Sequence, residues 1–177
     1  IEIDDPFFPD DAPQLATPLL ITELLPERPL TGHKGTFGKV LVVGGCQNYT
    51  GAPSLSATAA YRVGAGLVTV AIPASIQTMV AANLTEATFL PLVDLDGAIA
   101  PDAAETLHPH TMSYSSVLIG PGLSQLKPAT DFLTKWFTYL IADAEQNPPL
   151  VFDADALNYL AQQPGWWAFI PPDSVLT

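Results

Sequence analysis

Two aspartates stand one residue apart directly after a short apolar run. Asp153 and Asp155 flank Ala154, and the run 149–152 before them is typical of a buried strand. Carboxylates at a strand end could hold Mg²⁺ through water or orient a ribose. Asp155 could equally serve only as the N-cap of the next helix. Asp153, which is closer to the strand, is therefore the stronger candidate for binding.

Two glycine-containing segments also follow apolar runs. In residues 44–53, Thr50 could cap a helix whose first turn contains Pro53, and the free amides there could bind phosphate. In residues 120–123, Gly120 and Gly122 would let a ligand approach the backbone with no Cβ in the way. The first segment alone fits an ordinary strand-to-helix turn equally well, because it does not have the spacing of a known phosphate-binding motif. The second segment, taken alone, fits a plain strand-to-helix turn better than a binding site.

Apolar runs alternate with helical patterns from Lys39 onwards. The first predicted helix has Leu55, Ala59 and Val63 four residues apart. The alternation predicts an α/β domain, in which helices form layers on both faces of a mostly parallel sheet. Strands are predicted at 39–43, 67–72, 87–92, 116–119, 149–152 and 174–177, and helices at 53–63, 74–83, 101–107, 128–143 and 156–162.

Ligands of such sheets bind beyond the carboxyl ends of the strands. The three segments above follow the first, fourth and fifth predicted strands, so we expect them to line one cleft. The segment His33-Lys34-Gly35 precedes the first strand and should begin at the opposite edge. His108 and His110 are predicted to lie in a loop without a metal-binding partner set.

The composition excludes several functions. The chain of 177 residues has 18 acidic and 6 basic residues and a net charge of −12, which would repel nucleic acid and an anionic membrane. Cys46 is the only cysteine, so no intrachain disulfide is expected and a cytoplasmic location is predicted.

Residues 1–30 contain six of the 18 prolines and are predicted to be an arm or interdomain linker, with a helical turn only at 22–25.

Five motifs follow one another along the chain: His33-Lys34-Gly35 with the run to Gly45, Thr50-Gly51-Ala52, residues 63–70, residues 120–123 and residues 153–158. In this order they resemble the NAD(P)H-hydrate dehydratases over roughly residues 31–177. The resemblance implies a ribokinase-like three-layer α/β/α fold, incomplete here, with 31–177 as the N-terminal portion of the domain. The arm resembles the connector that follows an NAD(P)H-hydrate epimerase domain in bifunctional members.

The family resemblance also implies a reaction and a site. Hydrated NADH or NADPH would be restored to NAD(P)H with ADP or ATP and Mg²⁺, through phosphorylation of the hydrate hydroxyl and then elimination. Carried over by position, one group of residues would contact the hydrated dinucleotide and another would lie near the nucleotide or metal. The first group is Thr50, Gly51, Ala52, Gly120 and Gly122, and the second is Asp153, Asp155 and Asn158.

The chain departs from the family pattern after residues 175–177. Family members continue into a Pro-His-Pro-Gly-Glu segment, a nucleotide-binding stretch and a Gly-Thr-Gly-Asp motif whose aspartate is the catalytic base. We therefore assign no catalytic residue, expect no turnover by this chain alone, and expect association with the missing half or with further copies. The alternatives are a ribokinase-like small-molecule kinase and a non-catalytic binding fragment.

Overall fold

A computed structural model describes residues 17–168 and 170–177. The chain divides into two compact units, residues 1–32 and residues 33–177. The first unit contains α1 (Pro18–Leu24), which begins where the hydroxyl oxygen of Thr17 accepts a hydrogen bond from the amide of Leu20 at 3.2 Å. The predicted helical turn at 22–25 is therefore part of a longer helix that begins at Pro18. This start follows from Thr17, which caps the helix, and from Pro18, which suits its first turn. The rest of the predicted arm, residues 1–16, lies outside the described residues.

The second unit is built on a parallel sheet of six strands. Their order is β3-β2-β1-β6-β7-β8, and β4 and β5 form a separate antiparallel hairpin. The parallel sheet confirms the predicted α/β class. The hairpin was not predicted, because strands of two residues are too short to show an alternating pattern. The strands are β1 (Lys39–Val43), β2 (Leu67–Pro73), β3 (Thr88–Leu92), β4 (Asp94–Leu95), β5 (Ala98–Ile99), β6 (Ser116–Ile119), β7 (Leu150–Phe152) and β8 (Val175–Leu176).

Five α-helices connect these strands within the described part of this unit. They are α2 (Gly51–Val63), α3 (Gln77–Ala81), α4 (Ala103–Thr111), α5 (Lys127–Ala142) and α6 (Asp155–Leu160), with 3₁₀ turns at Ala74–Ile76 and Trp166–Ala168. The predicted helix at 74–83 is partly a 3₁₀ turn, whose Ser75 amide donates to the Asp94 carboxylate at 3.2 Å. No helix within 17–168 and 170–177 has the length and apolar composition needed to cross a bilayer.

Apolar side chains cover both faces of the sheet. Leu41 and Val43 of β1 belong to one buried cluster, which includes side chains of α4, α5 and α6. Val42 points to the other face, where the cluster includes Ala57 of α2 and Val80 of α3. Alternate residues of one strand thus enter two cores, and the three-layer arrangement is confirmed.

The outer face of α2 differs from the sequence-based expectation. Leu55 and Val63, two of the three apolar residues spaced four apart, are 74 % and 78 % exposed. The buried face consists of Pro53 and Ala57 instead. Small side chains let α2 approach the sheet closely, so the buried stripe of this helix does not coincide with its largest apolar residues.

The prediction that His108 and His110 lie in a loop is wrong. Both residues lie in α4, which continues through Pro109. The His108 Nε2 atom is 2.8 Å from a carboxylate oxygen of Asp143, and the His108 ring stacks on Tyr139 with a centroid distance of 4.8 Å. The contact joins α4 to the end of α5, which is a structural role.

Candidate functional site

The strand order reverses between β1 and β6. From β1 the chain proceeds outward through β2 and β3, and it then returns to build β6, β7 and β8 on the other side of β1. Such a reversal leaves a crevice at the carboxyl ends of the two central strands, where ligands of open α/β sheets bind. Val43 pairs with Ile119, and Ile119 pairs with Phe152, so the central strands end level with one another. Three loops leave this edge: the first loop (44–50), the second loop (120–126) and the third loop (153–154).

The first and second loops are in direct contact. The Gly45 amide donates a hydrogen bond to the Pro121 carbonyl at 2.9 Å. Gly122 has φ +67°, and a Cβ there would lie 2.8 Å from the Cβ of Tyr49 and 3.0 Å from the Cβ of Ala52. Glycine is required by both the backbone conformation and the lack of space. The predicted binding residues Ala52 and Gly122 are thus neighbours.

The second and third loops are also in contact. Gly120 has φ +124°, and the position of a Cβ on it is occupied by the carbonyl oxygen of Asp153. The Ser124 amide donates to the Asp155 carboxylate at 2.8 Å. The expected convergence of the three segments on one edge of the sheet is confirmed by these contacts.

A cavity of about 370 Å³ opens between the first loop, the second loop and Asp155, the first residue of α6. Asp155 is the only predicted site residue in its wall. Ala52 and Gly122 are not among the lining residues, whereas Tyr49, which adjoins Gly122 and is 55 % exposed, lines the cavity. The other five lining residues were not predicted as site residues, although Asn48 and Tyr49 lie within the segment 44–53 and residues 124–126 directly follow the segment 120–123. The lining consists of Asn48, Tyr49, Ser124, Gln125, Leu126 and Asp155.

The start of α2 lies at this edge of the sheet, because α2 follows the first loop. Thr50 is the N-cap residue, but its side chain makes no capping hydrogen bond and its backbone is helical, at φ −71° and ψ −24°. The predicted capping role of Thr50 is therefore wrong. Gly51 is exposed, and a Cβ on it would meet no atom within 4 Å beyond its own helix and chain neighbours, whereas Ala52 is half-buried.

The two aspartates that flank Ala154 have different partners. Asp153 accepts a hydrogen bond from the Thr177 hydroxyl at 2.7 Å, whereas Asp155 accepts from the Ser124 amide and from Asn158 Nδ2 at 3.3 Å. Ala154 itself is the N-cap of α6, with φ 46° and ψ −110°, so the alternative role of Asp155 as an N-cap is also wrong. Within the described ranges no group of three or more His, Cys, Asp or Glu side chains is placed to hold a metal ion.

The hairpin of β4 and β5 supports the first loop. The Gln47 amide donates to the Gly97 carbonyl at 2.8 Å, and a Cβ on Gly97 would lie 2.6 Å from Gln47 Oε1.

Two other features lie away from this site. The segment His33-Lys34-Gly35 lies at the opposite edge of the sheet, as predicted, because the Lys34 carbonyl contacts Gly66 just before β2. A second cavity, of about 390 Å³, is lined by Glu145 and apolar residues near the amino end of β8. That position is remote from the strand ends where ligands bind.

A three-layer fold whose loops converge where the strand order of a parallel sheet reverses defines an open α/β protein that binds ligands at its strand ends. A ribokinase-like superfamily protein from Enterococcus faecalis superimposes with a TM-score of 0.64 at 26 % identity, covering 79 % of this chain and 45 % of that one. The family model described as NAD(P)H-hydrate dehydratase matches residues 40–177. The chain belongs to the NAD(P)H-hydrate dehydratase family.

Two further proteins illustrate the similarity. A bifunctional NAD(P)H-hydrate repair enzyme from Moorella thermoacetica is 44 % identical over 138 residues, which cover 77 % of this chain and 25 % of that protein. An ADP/ATP-dependent NAD(P)H-hydrate dehydratase from Bacillus subtilis, co-crystallized with ATP/Mg²⁺, has a TM-score of 0.57 at 25 % identity and covers 80 % of this chain and 46 % of that one. The chain thus spans about a quarter of the curated relative and about half of the solved one.

Proposed function

We propose that this chain contributes to the nucleotide-dependent dehydration of NAD(P)H hydrate, and that it supplies the part of the site that holds the hydrated dinucleotide. The observation that carries this proposal is the convergence of the first loop, the second loop and the start of α6 on a cavity of about 370 Å³ at the reversal of strand order. Family membership specifies the class of ligand to test, which is hydrated NADH or NADPH.

The proposed reaction uses ADP or ATP with Mg²⁺ to phosphorylate the hydroxyl of the hydrate. Loss of the phosphate and of a proton from the adjacent carbon then restores the double bond of the dihydronicotinamide ring. Phosphate leaves more readily than hydroxide, which is why a nucleotide is consumed. We propose that Asp153 lies near the nucleotide phosphates or the metal. Asp155 and Asn158 are placed in the same vicinity, but the Asp155 carboxylate accepts hydrogen bonds from Ser124 and Asn158.

The first turn of α2 is suited to an anionic ligand in an acidic protein. Its backbone amides at Thr50, Gly51 and Ala52 can bind phosphate oxygens without a basic side chain, and α2 has no acidic residue in its first turn. Gly122 would present its backbone to the same ligand, and Gly120, whose amide donates to the Val43 carbonyl at 3.1 Å, would lie beside it. This arrangement is compatible with a net charge of −12, because the binding groups are amides and a helix dipole.

The binding part of the proposal is tested with Gly122→Ala. Its Cβ would press on Tyr49 and Ala52, whereas Gly165→Ala places a methyl at a similar φ, +71°, with no atom within 4 Å. We expect Gly122→Ala to weaken NADPH hydrate binding about tenfold in calorimetry, since overpacking displaces neighbours. Gly165→Ala carries the same backbone strain and should bind as the unmodified chain does. Equal affinities of the two variants would contradict the placement of the ligand.

Turnover is measured separately from binding. The chain is incubated with NADPH hydrate, Mg²⁺ and either ADP or ATP, and recovery of NADPH absorbance is followed. Binding without recovery would support a binding segment that needs further chain for catalysis. Phosphoryl transfer to a sugar or another small alcohol, with no binding of the hydrate, would instead favour the kinase alternative.

We further propose a cytoplasmic location and association of the chain with other polypeptide surfaces. Val175 and Leu176 of the edge strand β8 are 53 % and 44 % exposed, and Leu55 and Val63 of α2 are also exposed. Exposed apolar edges favour association with copies of this chain or with the remainder of a dehydratase domain. Native mass measurement tests this, and a monodisperse 18.8 kDa species would oppose self-association.

An epimerase domain joined to the arm is part of the same proposal for the whole protein. The relative from Moorella thermoacetica is a bifunctional repair enzyme, and this chain covers only 25 % of it. The denatured mass of the polypeptide purified from its natural source tests this. A mass several times 18.8 kDa would support a second domain, and a mass equal to it would oppose one.

A further inference from the structure

The carboxylate of Asp155 is directed into the protein as well as towards the cavity. One oxygen, Oδ2, accepts from the Ser124 amide at 2.8 Å, and the other, Oδ1, accepts from Asn158 Nδ2 at 3.3 Å. Asp155 is half-buried in the cavity wall. Both oxygens therefore already have protein partners, which restrains the side chain.

The residue held by Asp155 has an unusual backbone conformation. Ser124 has φ +72°, which is unfavourable for a residue with a Cβ, and it is only 8 % exposed. Its hydroxyl oxygen accepts from the Leu126 amide at 3.3 Å. A buried amide that loses its acceptor is costly, so the hydrogen bond that the Ser124 amide donates to Asp155 favours this conformation. Residues 124–126 then form one wall of the cavity.

The conformation of Ala154 separates the two aspartates that the sequence places together. With φ 46° and ψ −110° it lets Asp153 face Thr177, while Asp155 faces the second loop. A shared role as a metal-binding pair would require the two carboxylates to converge on one point. Their hydrogen bonds instead direct them to different parts of the chain.

We propose that Asp155 is a positioning residue, whose carboxylate fixes residues 124–126 as a cavity wall and whose function requires an acceptor oxygen but not a negative charge. This inference deepens the proposed function and rests on it. An asparagine at this position retains an oxygen for the Ser124 amide. The amide of Asn158 can rotate by half a turn to present its own oxygen to the new NH₂ group.

The test compares Asp155→Asn with Asp155→Ala, which lose the same charge but differ in the acceptor. Two measurements are made on the 177-residue chain: hydrogen exchange at the Ser124 amide, and calorimetric affinity for NADPH hydrate. We expect Asp155→Asn to bind within about twofold of the unmodified chain and Asp155→Ala to bind about tenfold more weakly, as for loss of a hydrogen bond to a buried donor. Exchange at Ser124 should accelerate only in Asp155→Ala. Asp173→Asn, which removes a charge at the opposite edge, is the control.

Two results would overturn the inference. Asp155→Asn and Asp155→Ala could bind NADPH hydrate equally weakly, which would assign the role to the charge, or the exchange at the Ser124 amide could be unchanged in Asp155→Ala.

If the unmodified chain does not bind NADPH hydrate, the proposed function fails, and the exchange measurement still decides whether Asp155 holds the second loop. If Asp155→Ala does not fold, Asp155→Asn alone decides, because normal exchange and affinity support the inference and impaired values refute it.

Discussion

The hydroxyl of Thr177 donates a hydrogen bond of 2.7 Å to Asp153 Oδ1 and so joins the ends of two adjacent parallel strands. The Phe152 carbonyl is a weaker alternative acceptor, at 3.4 Å from the same hydroxyl. Because one hydroxyl has one proton, the carboxylate receives it in the favoured geometry. Thr177 thereby holds the side chain that we place near the nucleotide.

Replacement of Thr177 by valine keeps the shape of the side chain and removes the donor. We expect Thr177→Val to weaken binding of Mg²⁺·ADP about fivefold, which corresponds to the loss of a hydrogen bond worth about 1 kcal/mol. Thr177→Ser keeps the hydroxyl and should bind normally. Calorimetric titration of both variants checks this. Unchanged affinity of the valine variant would show that Asp153 needs no orientation by Thr177.

The strained backbone at Ala154 predicts a stabilising substitution. Its φ of 46° and ψ of −110° are unfavourable for alanine but accessible to glycine. Relief of about 1–3 kcal/mol of strain exceeds the entropic cost of glycine, so Ala154→Gly should stabilise the chain by about 1 kcal/mol. Urea unfolding measures the change. Ala168→Gly, in a 3₁₀ turn, is the comparison and should destabilise. A loss of stability in Ala154→Gly would mean that the strain is absent in solution.

The sequence was sufficient to predict the parallel sheet and the edge at which the loops converge. Continuous apolar runs such as 39–43 mark strands buried on both faces, and the glycines at 120 and 122 mark a turn with no room for side chains. These signals are local. The topology then follows from the general rules for alternating strands and helices.

The cavity wall could not be predicted in the same way. The position of Tyr49 depends on its contact with Gly122, which is far away in sequence, and the role of Asp155 depends on a hydrogen bond to Ser124, 31 residues away. Side-chain partners of this kind arise only when the chain folds. The exposed Leu55 and Val63 show a similar limit, because the helical spacing of apolar residues does not reveal which face approaches the sheet.

Gly66 is predicted to be intolerant of any side chain. A Cβ there would overlap the carbonyl of Lys34 and lie 3.1 Å from the carbonyl of Gly38. We expect Gly66→Ala to destabilise the chain by about 1–3 kcal/mol, because the backbone before β1 must move. Gly51→Ala is the matched control, since a methyl there contacts nothing and should stabilise by about 0.5 kcal/mol. Thermal unfolding distinguishes the two, and equal melting temperatures would contradict the close contact at Gly66.

The hairpin of β4 and β5 should influence binding although it does not line the cavity. Gly97 has φ +77°, and a Cβ on it would lie 2.8 Å from the Cβ of Gln47 in the first loop. Gly97→Ala should therefore displace the first loop and weaken binding of NADPH hydrate several-fold, in the range of about 1 kcal/mol for moderate overpacking. Asp96→Asn is the control, since asparagine accepts the φ of 51° at this neighbouring position and adds no atom towards the loop.

A second measurement locates the effect of Gly97→Ala. Because the Gln47 amide also donates to the Gly97 carbonyl at 2.8 Å, hydrogen exchange at the Gln47 amide should become faster in Gly97→Ala and not in Asp96→Asn. Weaker binding without faster exchange would place the effect elsewhere than in the first loop.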